Sequence, residues 1–176
     1  MAKNEPKGVK CLSFQQPYAT MIATGVKTVE CRSRKIVTPI KNLVVCGSKT
    51  AKDFYPLPGL AYGYAIGMVD VVDCVPFKPE HLDAALMTDM PAKDCYAWIL
   101  ENPRLIEPYP VHASASFFYT DFEPKVIESS ADSYIEHFAE LSQEGDDDLA
   151  AAIIWGMFEE RDLLWEIFYG VGEEEE

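Results

Sequence analysis

Lys27, Glu30 and Arg32 fall within one run of eight residues, Gly25-Val26-Lys27-Thr28-Val29-Glu30-Cys31-Arg32. A guanidinium offers a planar fork of donors to a phosphate or a base carbonyl, and an ammonium offers a point charge. A carboxylate accepts from an exocyclic amine, as it does from cytosine N4. The same groups can serve catalysis. A lysine works as a base near neutral pH when desolvation or a neighbouring cation lowers its pKa, and a cation can stabilise charge developing on a phosphoryl group. A carboxylate at Glu30 is expected to push the pKa of Lys27 upward, which favours binding over base catalysis. The alternative without any ligand is a Glu30–Arg32 ion pair that serves the strand alone.

Whether these groups converge depends on the elements that carry them. "VKCLSF" sets Val9, Cys11 and Ser13 on one phase against Leu12 and Phe14, and reads as a strand. Pro17 suits the start of a helix, where its missing N–H costs nothing. Tyr18, Met21, Ile22 and Val26 recur at helical spacing, and Gly25 suits a left-handed stop. From Thr28 the period becomes two, with Thr28, Glu30, Arg32 and Arg34 on one phase. Residues two apart on a strand share a face at roughly 6.6 Å. Glu30 and Arg32 are therefore expected side by side, with Lys27 reaching over them from the corner.

"NLVVCGS" reads as a short strand and "AYGYAIGMVDVVDCVPF" as a long one bent at Gly63 or Gly67. "KPEHLDAALM" reads as a short helix from Pro79. "CYAWILENPRLIEPYPV" gives a strand, a turn at Asn102-Pro103 and an edge segment, and "SASFFYTDF" a last strand. Short strands with one helix between the first two predict an α+β fold around a small, mostly antiparallel barrel. After Pro124, Ala131, Tyr134, Ile135, Phe138 and Leu141 form a stripe between a Ser130 cap and a Gly145 stop. Ala150, Ile153, Ile154, Met157, Leu164, Trp165 and Phe168 fit one helix interrupted at Gly156, two helices, or a helix and a strand. The tail "GEEEE" is expected to be disordered.

These 176 residues suit one domain over 1–123 with a mainly helical extension over 124–176. Charge divides along the chain. Residues 1–52 hold ten Lys/Arg against two Asp/Glu, while residues 111–176 hold two against eighteen. That asymmetry suggests a basic surface for an anionic partner and an acidic appendage. The appendage packs by its apolar stripe, limits access to the basic half, or binds a basic protein partner. No apolar run is long enough for a membrane span or a secretory signal, so an intracellular, cytoplasmic protein with no membrane partner is expected. Five cysteines never spaced as CxxC and three scattered histidines predict no metal site and free thiols. No cofactor is expected.

"LSFQQPYATMIATGVKTVECR" resembles the opening of the ASCH domain family, within the PUA-like superfamily of small β-barrels. It carries the opening strand, the "QPYA" helix start and the Gly-x-Lys-x-x-Glu-x-Arg signature at Gly25, Lys27, Glu30 and Arg32. "VVCGSK", with Ser48 and Lys49, then "GYAIGMVDVVDC" and "YAWILENPRLIEPYPV" follow in the family's order. The resemblance implies a PUA-like barrel whose cleft beside the early helix binds RNA or a nucleotide-like ligand. The ligand-binding candidates are Lys27, Glu30, Arg32, Tyr18, Ser48 and Lys49, with Tyr18 or Trp98 as a stacking face. Some small bacterial relatives hydrolyse N4-acylated cytidines with a lysine, a threonine and a glutamate. Lys27 matches that lysine, but Glu30 stands at the threonine position, and Thr28, two residues away, is the substitute. The catalytic candidates are therefore Lys27, Thr28 and Glu30, with metal-free RNA cleavage also open. Ala113 and Ser114 stand where the family often has a glycine and a basic residue, and residues 124–176 have no counterpart in the minimal domain.

Overall fold

The structure is a computed structural model that describes residues 4–51, 56–142 and 144–170. Its elements in chain order are β1 (Val9–Phe14), α1 (Tyr18–Thr24), β2 (Val29–Arg32), β3 (Ile40–Gly47), β4 (Tyr64–Pro76), β5 (Tyr96–Pro110), β6 (Phe118–Thr120), α2 (Ala131–Phe138), α3 (Asp147–Phe158) and α4 (Arg161–Tyr169). The expected tail at 172–176 lies outside the described residues.

The strands form one sheet in the order β2-β5-β4-β3-β1-β6. β1 runs parallel to β3, and every other neighbouring pair is antiparallel. The expected, mostly antiparallel barrel is corrected on two counts: the sheet is open, with β2 and β6 at its edges, and its pairing is mixed, with β1–β3 as the parallel pair. The mixed pairing follows from where β2 goes. It pairs with β5 at the far edge instead of with its sequence neighbours. β1 and β3, which both run opposite to β2, are left to meet each other in parallel.

α1 crosses the face of β3, β4 and β5. Gly25 ends it at φ 85°, as its sequence position suggests. Contact with β4 is close at Gly67, where an added Cβ would lie 2.6 Å from Ala23 Cβ and 2.7 Å from the Arg104 carbonyl. Gln16 fastens the helix start. Its Nε2 donates to the Ala61 carbonyl at 2.8 Å, and its Oε1 accepts from the Thr20 amide and hydroxyl at 3.1 and 3.0 Å. That is the physical content of the glutamine in "QPYA".

Two local expectations fail instructively. The turn at Asn102-Pro103 is a bulge inside one strand of 15 residues. Glu101 faces Asp70 and Arg104 faces Met68, so two residues of β5 stand against one of β4, and Asn102 takes φ 54°. The helix expected from Pro79 is a 3-10 turn over Pro79–His81 followed by a loop, in which Leu86 takes φ 53°.

Ser130 caps α2 through the Ser133 amide, and Asp146 caps α3. α3 and α4 are separate helices, parted at Glu159-Glu160 and not at Gly156. Gly156 instead lies against Leu164, whose Cδ2 would stand 2.6 Å from an added Cβ. Tyr134 and Phe138 of α2 are buried against the sheet with Phe14 and Ile22. Ile135, expected on the same stripe, is 46% exposed. Ile153, Met157 and Leu164 close a second core with Met21, Leu60 and Leu86. The described part of the acidic segment thus packs by its apolar faces onto α1 and the sheet. Among the described residues no helix is long and apolar enough to cross a membrane.

Candidate functional site

The α1–β2 corner sets Lys27 at the mouth of a loop, while β2 projects Glu30 and Arg32. Glu30 is the hinge of the arrangement. Its Oε1 accepts from Arg32 Nε at 3.0 Å, and its Oε2 lies 3.6 Å from Lys27 Nζ. Two cavities, of about 560 and 260 Å³, lie on either side of Tyr18 and Glu30, which line both.

Arg32 belongs to the larger cavity, together with Ser48 and Lys49. One NH2 hydrogen goes to the Ser13 carbonyl at 3.3 Å. The guanidinium carbon sits 5.1 Å from the Phe14 ring centre and 5.7 Å from that of Trp98. Trp98 is buried, and its indole N–H donates to the Arg34 carbonyl at 3.0 Å. It is a floor under Arg32 and presents no open stacking face, which corrects that expectation. Tyr18 is half-buried and does face both cavities.

Lys27 belongs to the smaller cavity, with Cys31 and Ala85. The residue is 4% exposed. Its Nζ donates to the Ala85 carbonyl at 2.5 Å and stands 5.4 Å from the Tyr18 ring centre. Burial lowers its pKa below the usual lysine range, and the opposing pull of Glu30 is smaller. The expected upward shift is therefore reversed, because spacing reveals a neighbouring carboxylate but not the depth at which the pair sits. Burial pushes the Cys31 thiol beside it up to about 12, so it stays protonated at neutral pH.

The three signature groups thus do not share one hollow. Glu30 joins two cavities, with the cations on opposite sides of it. Thr28 is exposed, lines neither cavity and precedes β2; its amide donates to the Ala84 carbonyl at 3.0 Å. The structure does not bring its hydroxyl to Lys27 and Glu30.

Other lining groups lie outside the signature. Ser13 lines the larger cavity, and its Oγ is buried with no hydrogen-bond partner among the described residues. A polar residue in phase with Val9 and Cys11 was the signal for it. Ala113 and Ser114 line the same cavity, so a basic residue in that loop would have faced it. The carbonyl of Ala85 carried no signal, since a backbone group has none.

A model of the ASCH domain matches residues 12–110, more than half of the chain. Among solved structures, the chain is similar to an ASCH protein from Zymomonas mobilis, at 16% identity and a TM-score of 0.45, covering 78% of this chain and 97% of that one. Two point mutants of the same protein match at 16% and 15% identity, with TM-scores of 0.45 and 0.46. Each match covers 78% of this chain, and 100% and 98% of the respective mutant.

Proposed function

The chain belongs to the ASCH domain family, and on that basis we propose that it binds RNA or a nucleotide-like ligand in the larger cavity, with Arg32 as the principal contact. The guanidinium carries this reading. Glu30, the Ser13 carbonyl and two aromatic rings fix its plane, yet both NH1 hydrogens and one on NH2 have no acceptor among the described residues. A guanidinium held in this way loses little freedom on meeting a phosphate or a base carbonyl. Lys49 adds an exposed charge at the rim.

Fluorescence anisotropy with a single-stranded RNA decamer tests the proposal. Arg32→Ala is expected to weaken binding about tenfold and to reduce the slope of log affinity against log salt by about 0.7, the value for one lost contact to a single strand. Equal affinity and an equal slope in a folded variant would refute it.

A second reading, hydrolysis of an N4-acylated cytidine, is favoured by one observation: Lys27 is buried against a carboxylate with its pKa lowered. Chromatography after incubation with N4-acetylcytidine decides it. Hydrolysis predicts cytidine, lost in Lys27→Met, whereas a binding protein leaves the nucleoside intact.

A further inference from the structure

The C-terminal helix reaches the Lys27 cavity through the loop that walls it. Residues 82–87 supply the Ala85 carbonyl that takes the Lys27 ammonium. The Ala84 carbonyl next to it accepts from the amides of Thr28 and Val29 at 3.0 and 3.1 Å. One loop therefore fixes both the lysine side chain and the backbone that follows it.

That loop turns through Leu86 at φ 53°. A γ-branched residue persists in the left-handed region only where its surroundings over-determine it. Here α4 does much of that. Tyr169 Oη donates to the Leu86 carbonyl at 2.6 Å, and having spent its one hydrogen it accepts from Tyr18 Oη at 3.4 Å. Arg161 NH2 donates to the Asp83 carbonyl at 2.7 Å, and NH1 reaches the Asp83 carboxylate at 3.4 Å. Between these ends, the Leu86 side chain is buried in one cluster with Leu164. The first and last residues of α4 thus grip the two ends of the segment 83–86.

We propose that α4 is a clamp on the Lys27 cavity, with Arg161 and Tyr169 as positioning residues that set whether the ammonium is held by Ala85 or offered to an anionic ligand. Neither side chain lines the cavity; both act through the loop. The clamp lies outside the residues 12–110 that match the ASCH domain. With the clamp closed, the ammonium is held between the Ala85 carbonyl and the Glu30 carboxylate. Loosening it uncovers the ammonium on the Ala85 side, with Glu30 still beside it, and strengthens anion binding. This last step rests on the proposed ligand reading and on a ligand long enough to reach past Glu30 from the larger cavity into that of Lys27, while the clamp itself needs neither.

Full-length Tyr169→Phe, Arg161→Ala and the double variant test it, with lysine acylation by an N-hydroxysuccinimide acetate followed by mass spectrometry. Lys27 is expected to react up to about tenfold faster in the double variant, the size of one lost hydrogen bond, while exposed Lys49 serves as an unchanged reference. Binding of the RNA decamer is expected to tighten about threefold, and the gain to vanish in a Lys27→Ala background. Unchanged Lys27 acylation in variants with parental circular dichroism overturns the clamp. Should the double variant not fold, Tyr169→Phe decides alone, since it deletes one hydroxyl and keeps the ring against Trp165 at 4.7 Å. Faster acylation without any change in RNA affinity leaves the clamp standing and removes Lys27 from the ligand site.

Discussion

An ammonium sealed beside a carboxylate feels two opposed pulls, and at Lys27 the loss of water outweighs the attraction of Glu30. The consequence for stability has a definite sign. Unfolding returns the lysine to an ordinary value of 10.5, so between its lowered folded pKa and 10.5 the unfolded chain binds more protons than the folded one. Stability contributed by this residue therefore rises with pH through that window. Urea unfolding of the parent and of Lys27→Met at pH 7, 8, 9 and 10 measures it. The parent is expected to gain relative to the variant as pH rises through that window, and a gap that moves against the parent toward pH 10 contradicts the shift. At this scale the sequence was informative about company and silent about depth. Period two from Glu30 to Arg32 foretold a contact now seen at 3.0 Å. It could not foretell that Ala85, 58 residues further along, would cover Lys27.

Elements were legible where one residue decides a local conformation, and illegible where a partner strand decides it. Gly25 and Ser130 ended and began helices as their chemistry requires. Asn102-Pro103 carries equally strong turn chemistry, yet β4 holds both flanks of the pair and turns it into a bulge. The partnering of β2 was illegible for the same reason, since four residues do not specify which edge they join. The close passage of α1 over β4 gives the element-scale prediction. In Gly67→Ala the new methyl meets Ala23 and, more seriously, the Arg104 carbonyl, which cannot yield without disturbing β4 and β5. Overpacking of this kind costs about 2 kcal/mol, or a fall in Tm of roughly 4–8 °C for a chain of this size. A melting curve that matches the parent would mean that α1 can lift from the sheet freely.

Across the whole molecule, the acidic segment acts as core on one side and as a charged skin on the other. Glu159, Glu160, Asp162 and Glu166 are exposed, while Tyr134, Phe138, Ile153, Met157 and Leu164 are buried against α1, the sheet and the loop at Leu86. The sequence exposed the change of composition at Pro124, which invites a division into a domain over 1–123 and an appendage. Packing argues that such a division would not survive separation. Five large apolar side chains at about 1.5–3 kcal/mol each contribute roughly 8–15 kcal/mol, comparable to the ~5–15 kcal/mol that hold a typical domain folded. Tyr134 also donates to the Gly59 carbonyl at 2.8 Å, a buried hydrogen bond between the two parts that the fragment lacks. A fragment ending at residue 123 is therefore expected to lack near-UV circular dichroism and a cooperative urea transition, and to be of no use for asking whether the acidic segment shields the cleft. Neutralising the four exposed acids in the full chain asks that question without removing the core. A fragment that unfolded cooperatively with parental stability would show instead that the sheet and α1 are sufficient, and that the helices rest on a finished surface.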